Sequence, residues 1–138
     1  MSIEDNINLV KKFYEFFTRQ NGEQKMNDIL QLLSEDVEWI VPGPRELSFV
    51  GVRHGREGVK EFFEIIGQMV TVKTYEPQKY VAQGDDVVVF GSNTAIAKNT
   101  GKTYENKWCH VFEIKDSKIH KFHQWYYVDA LMEAFKDV

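Results

Sequence analysis

The order of patterns along this chain predicts an α+β fold in which helices pack over one curved antiparallel sheet. Three observations carry the prediction. Helical spacing of apolar residues dominates the first half and is broken by one strand-like run. Four long β-type runs separated by turn residues fill the second half, and the last two of them read as a hairpin with one aromatic-rich face. At 138 residues, with 43% apolar and 28% charged, the chain predicts one globular domain spanning residues 1–138.

The elements follow in order. Ile7, Val10, Phe13, Tyr14 and Phe17 mark one face of a helix over residues 3–19, with Ser2 as its N-cap and Asp5 three residues on. Met26, Ile29, Leu30 and Leu33 mark a second, short helix over residues 26–33. Residues 37–41 read as a strand closed by Pro42-Gly43-Pro44, because proline cannot continue a ladder. A loop or short strand leads to Gly51, and Val59, Phe62, Phe63, Ile66 and Met69 predict a third helix over residues 57–70. The runs 72–83, 87–98, 102–115 and 119–128 then predict a four-stranded meander, since Gly84-Asp85-Asp86, Asn99-Thr100-Gly101 and Asp116-Ser117-Lys118 are turn chemistry. A last helical turn over residues 130–135 would be capped by Asp129.

Alternation along the final hairpin sorts its side chains by face. Trp108, His110, Phe112 and Ile114 on one strand meet Phe122, Gln124 and Tyr126 on the other, so single polar groups interrupt an apolar wall. That is how a small-molecule cavity is lined, and it is also how an aromatic core with a few satisfied polar groups reads. The opposite face carries Cys109, His123, Trp125 and Tyr127, an aromatic stripe suited to a second copy of the chain.

The formal net charge of −4, with no basic run interleaved with aromatics, argues against nucleic acid as a partner. No apolar run reaches membrane-spanning length and no basic leader precedes one, so a cytoplasmic location without a membrane partner is expected. The lone Cys109 rules out an internal disulfide and fits a reducing compartment. No cofactor and no metal are expected. His120 and His123 have helical ligand spacing but lie on a predicted strand, where a separation of three turns them to opposite faces.

The ordered set of segments Ser34-Glu35-Asp36-Val37-Glu38-Trp39, Gly51-Val52-Arg53-His54-Gly55-Arg56-Glu57-Gly58-Val59 and the hairpin from Trp108 to Tyr127 resembles the SnoaL-like group of the nuclear transport factor 2-like superfamily. The resemblance covers nearly the whole chain. It implies a cystatin-like cone, a strongly bent sheet wrapped around the N-terminal helices, with a hydrophobic cavity opening near Trp39. It also implies dimerisation through the outer sheet face. Function does not follow from the fold, because the superfamily includes isomerases, cyclases, epoxide hydrolases and pocket proteins without known chemistry.

Each of those chemistries requires groups that this sequence lacks. Where ketosteroid isomerases carry a general-base Asp, an oxyanion-holding Tyr and a second Asp, the chain has Val41, Phe13 and His110. Tyr14 is adjacent to Phe13 but is expected about 100° further around the helix. Cyclases and epoxide hydrolases place a carboxylate where Gln124 stands, and an amide does not titrate. The second hydrolase carboxylate falls near Asn93, its Tyr on Trp39 and its water-holding Asn on Val41.

The residues therefore predict a pocket protein for a small, mostly apolar molecule. Its walls are Phe13, Trp39, Val41, Trp108, Phe112 and Phe122, and Asn93, His110, Gln124 and the Tyr126 hydroxyl orient the ligand. Two alternatives stand beside it. One is an isomerase, cyclase or hydrolase with His110 as acid-base, the imidazole being the group that changes charge near neutral pH. The other is a dimerisation or interaction module whose cavity is filled by its own side chains. His110 itself reads as a core histidine satisfied by Gln124 or Tyr126, as a ligand anchor, or as a general base, and His54, flanked by Arg53 and Arg56, as a loop-packing or dimer-rim residue.

Overall fold

The computed structural model describes residues 2–18 and 22–136. It runs α1 (Ile3–Phe17), α2 (Gly22–Gln31), β1 (Leu33–Val41), β2 (Gly51–His54), α3 (Gly55–Met69), β3 (Val70–Gln83), β4 (Asp86–Ala97), β5 (Thr103–Lys115), β6 (Lys118–Tyr126) and α4 (Val128–Phe135).

Local chemistry sets most boundaries. Ser2 and Asp5 form a reciprocal capping box on α1: the Ser2 hydroxyl accepts from the Asp5 N–H at 3.0 Å and the Asp5 carboxylate accepts from the Ser2 N–H at 3.3 Å. The predicted end of this helix at Arg19 lies outside the described residues. The second helix begins four residues earlier than Met26 and stops before Leu33, which instead opens β1 and pairs with Ile119. Periodicity could not separate these readings, because Leu33 is apolar in both and only the partner strand decides. β5 and β6 are joined by a two-residue turn in which Asp116 and Ser117 both take positive φ, the twist a tight hairpin requires. The expected Asp129 cap is corrected: Tyr127 is the N-cap, it makes no side-chain capping bond, and Asp129 stands in the first turn of α4, where its charge meets the positive helix end.

The strands form one sheet in the order β2-β1-β6-β5-β4-β3. Every pair is antiparallel except β1 with β6, which is parallel, so the predicted antiparallel sheet has one parallel seam at the long return from the first strand to the last. Register breaks between Val72 and Thr74 and between Pro77 and Lys79 lie on the edge strand β3, where an unpaired proline N is tolerated and a bulge bends the strand. The β4–β5 ladder is unbroken from Asp86↔Glu113 to Ile96↔Thr103, which keeps Asn93 and His110 on the concave side. That side packs on α1 through Val10, Phe13 and Tyr14, and α3 closes over β1 through Val59 and Phe62.

Gly91 gives the concave face its shape. A Cβ there would overlap the Trp108 ring and come within 2.6 Å of the Glu76 backbone oxygen. The missing side chain lets the indole lie flat across β4, stacked on His110 at 3.9 Å with its Nε1–H donated to Asn93 Oδ1 at 3.1 Å. Gly91→Ala should therefore lower stability by about 2–3 kcal/mol in urea unfolding, since backbone cannot give way as a side-chain tip would. An unchanged midpoint with an unchanged near-ultraviolet tryptophan signal would refute this account of the indole.

Candidate functional site

Between the concave face and the helices lies a cavity of about 320 Å³, within the range of small-molecule sites. α1 contributes Phe13 and Phe17, α2 contributes Lys25 and Met26, α3 contributes Phe62, Phe63 and Ile66, and Phe49 and Leu131 close one end. Of the ten residues expected at the ligand, Phe13, Trp39, Val41, Asn93, His110, Phe122, Gln124 and Tyr126 lie on the wall. Trp108 and Phe112 do not. Both are buried behind it, against Tyr14, at ring separations of 5.8 Å.

Trp39 anchors the aromatic wall, stacked on Phe122 at 4.0 Å with Phe13, Phe62 and Phe63 at 5.7–6.0 Å. Among the described residues its Nε1–H is buried without a partner, as is the Oδ1 of Asn106, a wall residue paired with Asn93 in the sheet register. Tyr126 donates its hydroxyl to the Pro42 carbonyl at 2.5 Å, and burial pushes that phenol up to about 12. The approach depends on Gly43, where an added Cβ would meet the Tyr126 oxygen at 2.7 Å and φ is already +150°.

His110 is 1% exposed and its two ring nitrogens are both engaged. Tyr14 Oη lies 2.7 Å from Nδ1 and Gln124 Oε1 lies 3.0 Å from Nε2. With the Tyr14 hydroxyl donating to Nδ1, the neutral ring carries its proton on Nε2, the tautomer that the Gln124 oxygen, an acceptor only, requires. Nε2–H then donates to the Gln124 carbonyl. The chain of donors Tyr14, His110, Gln124 ends on the Gln124 oxygen, and among the described residues none pairs with the Gln124 amide N–H groups at the wall. Asn93 is oriented in the same manner, its carbonyl taken by Trp108 and its N–H groups open.

Burial drives the His110 imidazole from 6.5 down to about 3, against an upward pull from the Gln124 bond, so it is neutral at physiological pH. Burial likewise raises the Tyr14 phenol, with smaller upward contributions from Tyr75, Tyr80 and Cys109. Both groups are neutral near pH 7, and the pair suits holding a fixed array of dipoles more than general-base work.

Sequence reasoning missed Tyr14 as a site residue. Phe13 and Tyr14 are indeed adjacent on α1, yet both are buried, because the bent sheet wraps enough of the helix to contact two neighbouring rows. The clue was present in the stripe Val10, Phe13, Tyr14, Phe17, which placed a hydroxyl among core residues. Lys25 and Asn106 were missed because neither stands on a pattern that distinguishes a cavity from a surface. The other histidines lie elsewhere: His54 is exposed at the start of α3, while Arg53 and Arg56 beside it donate to the backbone oxygens of Phe49, Ser48 and Leu33. His120 faces Ser34 and Asp36. Cys109 is on the outer face, as alternation predicted, with its thiol pushed up by burial. Among the described residues no group of three or more His, Cys, Asp or Glu side chains could hold a metal ion, and no helix is long and apolar enough to cross a membrane.

Tyr14→Phe leaves His110 Nδ1 buried without a donor and should destabilise the fold by about 1–3 kcal/mol in chemical unfolding. The depressed His110 pKa also makes stability pH-dependent. The unfolded chain takes up the proton first, so the contribution is complete above 6.5, declines as pH falls through the window from 6.5 to about 3, and is flat below it. The slope from this one group is at most about 1.4 kcal/mol per pH unit. The difference between wild type and a Tyr14→Phe, His110→Leu double variant, measured across that window, should isolate it; identical profiles would refute the neutral buried imidazole.

The SnoaL-like domain family model matches residues 10–122. The crystal structure of an NTF2-like protein from Burkholderia xenovorans LB400 is 29% identical over 99% of both chains with a TM-score of 0.86. An NTF2-like protein of unknown function from Burkholderia pseudomallei K96243 is 23% identical over 99% of both chains, with a TM-score of 0.87. TerC, co-crystallized with polyporic acid, is 25% identical over 94% of this chain and 97% of its own, with a TM-score of 0.83. No curated protein matches at a significant level. Family model and structural likeness agree with the element order and the curved six-stranded sheet: this chain belongs to the SnoaL-like domain family, within the NTF2-like fold.

Proposed function

We propose that this protein is a cytoplasmic pocket protein that binds a small, mostly apolar molecule carrying a hydrogen-bond acceptor. The observation that carries the reading is the open cavity of about 320 Å³, walled by aromatics and supplied with oriented amide donors from Gln124 and Asn93. Phe13, Trp39, Val41 and Phe122 enclose the apolar body. His110 acts through Gln124, turning its amide toward the ligand. The co-crystallization of TerC, 25% identical to this chain, with polyporic acid supports a small-molecule-binding reading. The lone thiol, Cys109, suits a reducing compartment.

Binding is favoured over turnover with His110 as acid-base because both imidazole nitrogens are engaged and the ring is a weak base at about 3. A module with a self-filled cavity is disfavoured by the cavity itself.

The outer face supplies the second part of the proposal, a homodimer. Phe90, Cys109 and Trp125 lie side by side in register across β4, β5 and β6, and the next row is Val88, Val111 and His123. Phe90 is 45% and Trp125 53% exposed, and Trp125 stacks on His123 at 4.2 Å. Acidic and basic residues alternate around these rows, Glu105 with Lys107 and Glu113 with Lys121, so a two-fold related copy can meet the patch without like-charge repulsion.

Native mass spectrometry of freshly purified protein should show a discrete retained small molecule. Gln124→Leu should weaken its binding about three- to tenfold, the effect of one hydrogen bond. A chain that retains nothing and fails to take up an apolar fluorescent dye would remove the pocket reading. In sedimentation equilibrium the wild type should be a dimer and Trp125→Lys a folded monomer; a monomeric wild type at micromolar concentration would overturn the interface.

A further inference from the structure

We infer that the ligand of this cavity is an amphipathic acid, an apolar molecule whose carboxylate is held at the rim by the ammonium of Lys25. The inference rests on the pocket reading above and adds the charge and chemical class of the ligand.

Lys25 lies in α2 beside Met26, and both side chains line the cavity. It is the one wall residue among those described that carries a formal charge at neutral pH, because the wall includes no Asp, Glu or Arg and His110 is neutral. Its stem is partly buried and its Nζ stands 5.0 Å from the centroid of the Phe17 ring. Phe17 in turn packs on Tyr75 at 4.6 Å and Phe63 at 5.8 Å, so the ammonium caps an aromatic rim. An aromatic face attracts a cation and leaves its charge uncompensated.

Among the described side chains no carboxylate pairs with Lys25. Asp28, three residues on, accepts from Gln24 at 2.9 Å, and no ion pair among the described residues includes Lys25. Burial lowers its pKa. A cation set partly out of water against an apolar chamber is a matched receptor for an anion that arrives attached to an apolar body. The charge-assisted bond restores what desolvation removed.

The polar groups on the rest of the wall agree with this polarity. The amide groups left open by the Trp108 and His110 bonds are the N–H groups of Asn93 and Gln124, which call for acceptor oxygens. An acid that also bears a carbonyl or ether oxygen satisfies both ends.

Three isosteric probes test the assignment by calorimetric titration at pH 7.5: 2-naphthoate, 2-naphthamide and 2-methylnaphthalene. Wild type should bind naphthoate about tenfold tighter than naphthamide, the effect of one charge-assisted hydrogen bond at a half-buried site. Lys25→Met, which keeps the apolar stem, should erase the preference by weakening naphthoate alone, and Lys25→Arg should retain it. Equal binding of the acid and the amide by wild type, or a preference that survives Lys25→Met, overturns the inference and leaves the pocket reading standing. Failure of all three probes, 2-methylnaphthalene included, removes the pocket reading and the inference with it.

Discussion

The hydrogen bond between Tyr14 and His110 joins α1 to the middle of the sheet, and the arrangement of the concave face depends on it. Apolar packing alone would let the helix rotate or slide against a curved wall of aromatics with little loss, because hydrophobic contact is not directional. A buried 2.7 Å bond is directional: it holds the Tyr14 ring parallel to the imidazole, the two planes lying within 9° of each other. The bond then propagates. The tautomer it sets on His110 orients Gln124, while the imidazole supports the stacked Trp108, whose indole orients Asn93. Each bond in that network fixes the group that makes the next, down to the Gln124 and Asn93 amides at the cavity wall, and such linked buried polar groups specify one arrangement of a core.

The network also explains how the structure keeps a cavity open. The large rings on the concave face are used against one another: Trp108 over Gly91 and His110, Trp39 on Phe122, Tyr14 between Trp108 and Phe112. Rings held in stacks and hydrogen bonds cannot swing into the space between the sheet and α3. The outer face has the opposite character. Its rows of Phe90, Cys109 and Trp125 are aligned but unsupported by a covering helix, so its apolar area remains at the surface.

Much of this organisation was legible in the sequence. Alternation in β5 and β6 assigned His110 and Gln124 to one face and Cys109 and Trp125 to the other, and turn chemistry marked the hairpins. Two kinds of information were not legible. The pairing of Leu33 with Ile119 is non-local, so the second helix and the first strand were divided at the wrong residues and the parallel seam went unseen. Cavity lining is a property of three-dimensional gaps, and a short helix such as α2 carries no sign of which residues border one. Tyr14 lay between these cases. Its place in the apolar stripe shows burial, while the family position for an oxyanion-holding Tyr falls on Phe13, one residue away.

A histidine in the middle of an aromatic cavity invites a catalytic reading, and the surroundings of His110 argue for another role. General-base chemistry requires a nitrogen free to reach the substrate and a pKa near the working pH. Here one nitrogen is committed to Tyr14, the other to Gln124, and burial holds the ring at about 3. The same features make it an effective fixed dipole. Neutral imidazole can accept from one neighbour and donate to another at once, so it transmits orientation from α1 to β6, and carbon side chains cannot do so. Replacing a titratable centre by such a relay exchanges reactivity for geometry. In the proposed binding role the expected gain is selectivity, because an amide N–H held in one orientation donates to an oxygen acceptor and is left unpaired and desolvated by a hydrocarbon of the same shape.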